Sequence, residues 1–226
     1  MTQEYLTKEQ QVQKKIKLIA TITAVLIVVA LAGFGVVKLA QKSPTAGGPS
    51  PTLDQINDTD HVLGNRDAKI VLIEYSDFQC PACRAYSAQV EKLHQDFPTD
   101  LVIVYRHYPL SQHKNAIPAA QASEAGGVQG KFWAMAKLIF DDQPTWSGMS
   151  TPIPKFVEYA GQLGLNLPAF ESDLYSASLA SKINNDKTSG DQVSLTGTPS
   201  FYLNGQKIGN PSTYQQFYDL VKNAVK

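Results

Sequence analysis

The chain has 226 residues, 43% of them hydrophobic and 18% charged, which is enough apolar chain to bury a core and excludes a disordered protein. Twenty basic residues balance 20 acidic ones, so nucleic acid is not an expected partner, because gripping phosphate needs clustered Lys and Arg. The 2 cysteines, Cys80 and Cys83, share one short segment, which excludes a disulfide framework spread through the fold.

Residues 1–17 end in Lys14, Lys15 and Lys17. Leu18 to Val37 then runs without a charged side chain. About 20 residues at ~1.5 Å each span ~30 Å, the thickness of a bilayer's hydrocarbon core. The flanking lysines favour a cytoplasmic N-terminus and a C-terminal domain outside. The rival reading is a cleaved signal peptide ending near Ala30-Leu31-Ala32. The apolar stretch is long for a signal and continues through Phe34, Val36 and Val37, so 18–37 is read as a retained transmembrane anchor. Either reading exports the domain. Residues 38–58 form a linker, and its stretch Ser43–Thr52 is rich in Pro, Gly, Ser and Thr, as a flexible tether is. The folded domain is assigned to 59–226.

Lys69 to Tyr75 is a short apolar run bounded by turn residues, which predicts a buried strand. A helix should follow from Pro81 to about Phe97, with Tyr86, Val90, Leu93 and Phe97 on one stripe. Leu101 to Tyr108 predicts the next strand, parallel to the first. From about Asn115 to Asp186 the pattern is helical. Phe132, Met135, Ala136 and Ile139 share one face, and Phe156, Tyr159, Ala160 and Leu163 another. Phe170, Leu174, Leu179 and Ile183 continue it, and all of these read as core. Pro199 to Leu203 predicts a strand, and Asn204-Gly205 a tight hairpin into Lys207-Ile208. Pro211-Ser212 should open a last helix carrying Tyr214, Phe217, Val221 and Ala224 on one side. The order is β-α-β, a helical insert, then β-β-α: a small α/β sheet domain with a helical insertion.

The chemistry points to Cys80-Pro81-Ala82-Cys83, at the strand-to-helix junction. Pro81 suits the first helical position, where its missing N–H is no loss. Cys80 then meets the unpaired N–H groups and the positive end of the helix dipole. That setting stabilises a thiolate, and a stabilised thiolate makes the corresponding disulfide a stronger oxidant. Cys83, one turn further in, is placed to be the resolving thiol. Zinc normally takes four ligands, and here two thiols face four scattered histidines, His61, His94, His107 and His113. Haem attachment would need a histidine where Arg84 stands. An inert structural disulfide would close too small a loop to constrain the unfolded chain much. No metal and no cofactor are expected. The acidic pair Asp141-Asp142 reads as solvated.

Glu74 to Cys83 (EYSDFQCPAC) resembles the active-site segment of the DsbA family of thioredoxin-fold proteins. Tyr105-Arg106-His107-Tyr108-Pro109-Leu110, Gln129-Gly130-Lys131-Phe132-Trp133 and Gly197-Thr198-Pro199 resemble later segments of that family. The likeness runs from about Asp60 to the C-terminus and is nearest to membrane-tethered, BdbD-like members. It implies a thioredoxin fold. Cys80 would be the exposed, attacked sulfur and Cys83 its buried partner. Pro199 would be a cis-proline against the cysteine pair, and the backbone of Thr198 would pair with an extended substrate segment. Glu74 would be a buried proton acceptor for Cys83, whereas its own residue pattern also allows an edge position facing water. Pro81 and Ala82 would tune the redox potential, although the best-known family member has histidine where Ala82 stands. The resemblance implies an enzyme that oxidises thiols of exported, unfolded proteins, and the lack of a recognisable dimerisation segment makes a monomer the expectation. It would be reoxidised by a quinone-linked membrane protein of the DsbB or VKOR kind. The alternatives are a reductase or isomerase kept reduced by a membrane electron donor, and a binding module or holdase without redox work.

Overall fold

The computed structural model describes residues 55–225. The anchor assigned to 18–37 and the tether at 43–52 lie outside the described residues. Among those described, no helix is long and apolar enough to cross a membrane.

The strands are β1 (His61–Leu63), β2 (Ile70–Ser76), β3 (Leu101–His107), β4 (Ser200–Leu203) and β5 (Gln206–Ile208). They form one sheet in the order β1-β3-β2-β4-β5. β2 and β3 are parallel; the other neighbouring pairs are antiparallel. The parallel pair is joined by helix α1 (Pro81–Asp96). Between β3 and β4 the chain makes helices α2 (Ala116–Val128), α3 (Phe132–Asp141), α4 (Gln143–Trp146), α5 (Ile153–Gln162), α6 (Leu167–Asp173) and α7 (Ala177–Gln192). Helix α8 (Tyr214–Ala224) closes the described chain. This is a thioredoxin-like α/β fold with a helical insertion.

Three differences from the sequence reading have local causes. β1 was not expected. Its three residues carry no periodicity, and their strand identity comes from pairing with β3, His61 opposite Tyr105 and Leu63 opposite Ile103. The insertion runs on to Gln192 rather than ending near Asp186. Polar Asn184, Asn185 and Asp186 hide a helix held by Ile183, buried beneath it, and by Tyr75 Oη, which meets Ser189 Oγ at 2.9 Å. The last helix starts at Tyr214, not at Pro211-Ser212: Thr213 Oγ1 accepts from Gln216 N and caps it. The hairpin is as expected. Asn204 and Gly205 both have positive φ, 46° and 79°, as a type I′ turn requires.

Strand alternation divides the sheet between two layers. Ile70, Leu72, Leu101 and Ile103 pack with Val90, Leu93 and Phe97 of α1 and with Phe217 and Val221 of α8. Ile73, Tyr75, Val104 and Tyr202 face the other way, against Tyr108 and Leu195. Gly190 lets α7 approach that layer, since a Cβ there would lie 2.7 Å from Tyr108 Cδ2. The insertion has its own core around Trp146, Phe156, Tyr159 and Phe170, continuous with Phe78 and Cys83. Each such side chain contributes roughly 1.5–3 kcal/mol on burial. The Trp146 indole N–H donates to Ile139 O at 2.7 Å, so this large ring is buried without an orphaned donor.

Arg106 and Asp60 form a buried ion pair. Arg106 on β3 donates from Nε and Nη2 to the two carboxylate oxygens of Asp60, at 2.9 and 2.8 Å. Its remaining donors reach Tyr75 Oη at 3.2 Å and Gln55 O at 3.0 Å. Among the described residues, Gln55 thus already contacts the domain, within the stretch assigned to the linker.

Candidate functional site

Cys80 is the N-cap of α1, with extended backbone (φ −73°, ψ 121°), and Pro81 opens the helix. Arg84 N donates to Cys80 O, the first bond of the helical ladder. The unpaired first N–H groups of the helix thus lie beside Cys80, whose side chain makes no cap hydrogen bond. Cys80 is 7% exposed and Cys83 is fully covered, so Cys80 is less open than the sequence suggested but is the more exposed of the two. Pro81 and Ala82 lie on the surface beside it.

The two thiols differ in acidity. A hydrogen bond from the Cys83 thiol lowers the Cys80 pKa to about 5, against the opposing effect of burial, and the backbone N–H groups of Cys83 and Ala82 add to it. Burial pushes the Cys83 thiol far upward, and so does the bond it gives to Cys80 and the nearby charge of Glu74. At neutral pH the pair is thiolate at Cys80 and thiol at Cys83.

Three supports hold this arrangement. The first is Pro199, whose peptide bond to Thr198 is cis. Thr198 O lies 3.4 Å from Cys80 Sγ and accepts a hydrogen bond from the thiol when it is protonated. The second is Asp77, buried just before the cysteines. Its carboxylate accepts from Gln79 N, Leu110 N and His113 Nδ1 at 2.7, 2.9 and 2.7 Å. Its own N–H points at Cys83 Sγ, 3.5 Å away. The third is the insertion. Gln143 Nε2 donates to Phe78 O and Cys80 O at 2.6 and 3.0 Å. Gln79 accepts from Asn115 N at 2.6 Å and donates to Ser147 O at 2.9 Å. The insertion thereby braces the loop that carries Cys80. Sequence reading did not find Asp77, Gln79, His113, Asn115 or Gln143, because polar residues that meet across 30 to 65 positions leave no local pattern.

Glu74 is on the central strand β2, between β3 and β4, and is 4% exposed. It is not at an edge facing water. Its Oε1 makes no hydrogen bond. Burial raises its pKa to about 7, and negative charge at Cys80 adds to the effect. Tyr105 stands opposite it on β3, also with an unpaired hydroxyl. Both line a cavity of about 330 Å³ that is further bounded by His94, Trp133 and Phe140. The carboxyl is destabilising when charged. Its folded-state pKa lies above the ordinary 4.5, so the cost is absent below pH 4.5, grows as pH rises to about 7, and is constant beyond. Glu74→Gln in the disulfide form, where burial alone raises the carboxyl, should therefore flatten the loss of stability between pH 5 and pH 8. Urea denaturation at the two pH values measures it, and equal slopes in both proteins would show that Glu74 is hydrated.

Two of the histidines are not scattered. His61 Nε2 and His107 Nε2 each lie 2.8 Å from Glu124 Oε1. Burial would raise the Glu124 pKa, but hydrogen bonds from His107 and His61 hold it well below the usual carboxylate range. Asp142, by contrast, accepts from Tyr159 Oη, and Asp141 pairs with Lys137 at the surface.

Relatives carry the same domain. The sequence model of the family described as "Thioredoxin" matches residues 56–223. A thioredoxin-like oxidoreductase from Silicibacter pomeroyi DSS-3 superposes with a TM-score of 0.62 at 25% identity, covering 74% of this chain and 93% of that one. Wolbachia pipientis α-DsbA1 superposes with a TM-score of 0.69 at 22% identity, covering 78% and 96%. Oxidised BdbD from Bacillus subtilis gives 0.65 at 22% identity, covering 74% and 93%. Among curated proteins, the Na(+)/H(+) antiporter NhaA 1 of Mycolicibacterium vanbaalenii is 36% identical over 159 residues. That alignment takes in 68% of this chain but only 25% of the antiporter, so the chain spans about a quarter of the length of such relatives. The chain belongs to the thioredoxin family.

Proposed function

We propose that this thiol–disulfide oxidoreductase runs as an oxidase, passing the Cys80–Cys83 disulfide to exported proteins outside the cytoplasm. The observation that carries the reading is the division of acidity: Cys80 ionises near pH 5 while Cys83 keeps its proton. A thiolate favoured in this way stabilises the reduced dithiol form, so the disulfide tends to give itself away.

The steps follow from the geometry. A substrate thiolate attacks Cys80 Sγ, the less buried of the two sulfurs. The Cys80–Cys83 bond breaks, and Cys83 leaves and takes up a proton, for which the Glu74 carboxyl is the buried source. A second substrate thiolate then attacks the substrate sulfur of the mixed disulfide. Cys80 leaves as the stabilised thiolate. The substrate has lost two electrons and the enzyme has gained them. Regeneration needs an electron acceptor, for which a quinone-linked membrane protein of the DsbB or VKOR kind is the proposed partner. The placement outside the cytoplasm rests on the lysine-flanked apolar run at 18–37, and the antiporter names of the curated relatives are consistent with work at a membrane.

Equilibrating the full chain with glutathione tests the direction. An oxidase should show a potential of roughly −120 to −180 mV, whereas a value near about −270 mV would make it a reductase.

A further inference from the structure

We propose that His61, His107 and Glu124 form a binding site for a divalent transition-metal ion of the zinc type. The three come from β1, β3 and α2, and their ligand atoms all lie within 4.8 Å of one another. Each imidazole Nε2 is 2.8 Å from Glu124 Oε1. A tetrahedral zinc ion with bonds of about 2.0–2.1 Å holds its ligand atoms about 3.3 Å apart. For an ion to replace the two N–H···O bonds, each N···O pair would open by about half an ångström, and the two imidazole nitrogens, within 4.8 Å of each other, would come to the same spacing.

The ligands are already oriented. The His61 ring stacks on Phe132 at 3.5 Å with an interplanar angle of 5°. Gly127 leaves room for it, since a Cβ there would meet His61 Cε1 at 3.1 Å. His107 has its backbone N–H fixed by Asp186 Oδ2 at 3.0 Å. Side-chain exposure is 1% at His107, 5% at Glu124 and 19% at His61. An ion would thus enter past His61, and a water there would complete four-coordination, as in zinc sites with three protein ligands. The nearest cation is Lys182, 4.0 Å from Glu124 Oε1, with its charge directed to Asp186.

The donor set selects the ion. Two imidazoles and one carboxylate suit zinc and its first-row neighbours, whereas calcium and magnesium prefer oxygen throughout. The site is separate from the cysteines and needs neither of them. It ties the edge strand and the insertion to β3.

The experiment uses the full chain, chelator-stripped and oxidised to the Cys80–Cys83 disulfide so that neither thiol can take up metal. Zinc at about a hundredfold its Kd should raise the thermal midpoint by about 5 to 10 °C. Calorimetric titration should give one ion per chain, and calcium and magnesium should leave the midpoint unchanged. His61→Gln, on the short edge strand, and Glu124→Gln should each fold and lose the zinc shift. No zinc shift in the parent chain, an equal shift in both variants, or a calcium shift matching that of zinc would each overturn the assignment. The readout does not involve thiol exchange, so failure here leaves the oxidase reading standing, and failure of that reading leaves this one.

Discussion

Cys80→Ala removes oxidation of reduced protein substrates down to the uncatalysed rate, a fall of at least roughly 10³-fold. Cys83→Ala leaves the attacked sulfur in place but deletes the resolving thiol. Charged at Cys80 as a mixed disulfide with glutathione, it exchanges glutathione for one substrate thiolate and, with no Cys83 to displace that substrate, holds it as a mixed disulfide through Cys80, seen as a shifted band on a non-reducing gel. Full turnover by either variant would eliminate the two-cysteine mechanism. The acidity of Cys80 adds a sharper reading. Its folded-state pKa is depressed from 9.0 to about 5, with the Cys83 hydrogen bond as the largest cause. The reduced protein therefore gains stability from the thiolate in full above pH 9. That gain declines as pH falls and is gone below about pH 5. Alkylation of Cys80 in the reduced protein should stay fast down to about pH 5 and then drop. In Cys83→Ala the drop should move to higher pH, because the bond that holds the thiolate is missing.

Asp60→Ala has the largest expected effect on folding, a loss of about 3–5 kcal/mol. It leaves the Arg106 guanidinium, 2% exposed, with no carboxylate. Urea denaturation measures the loss. A change below about 1 kcal/mol would mean that water reaches Arg106 in the variant. Replacing both partners with apolar residues, Asp60→Leu with Arg106→Met, should restore most of the stability, since the penalty is that of an unpaired buried charge.

How far the sequence led depends on how local each cause is. β2, α1 and β3 follow from short-range patterns: an apolar run, a stripe at helical spacing, a β-branched run. Cys80 and Cys83 are legible because the motif, its strand and its helix are contiguous. Thr198 and Pro199 came from family likeness rather than from periodicity, and the structure brings them to Cys80 across 118 positions. β1 was invisible, because three residues become a strand only when β3 is beside them. Gln143 and Asn115 look like ordinary polar surface in the sequence, yet they are 4% and 3% exposed and hold the catalytic loop. His61 and Glu124 stand 63 positions apart, so no spacing rule joins them.

The grip of Arg106 on Gln55 and Asp60 has a mechanical consequence. Among the described residues, tension carried along the chain from the N-terminal side reaches this clamp first, and then the three residue pairs that join β1 to β3. Only behind them does it meet the buried strands. The domain should therefore yield at its N-terminal margin under pulling, shedding Gln55–Leu63 while β2, α1 and the two cysteines keep their places.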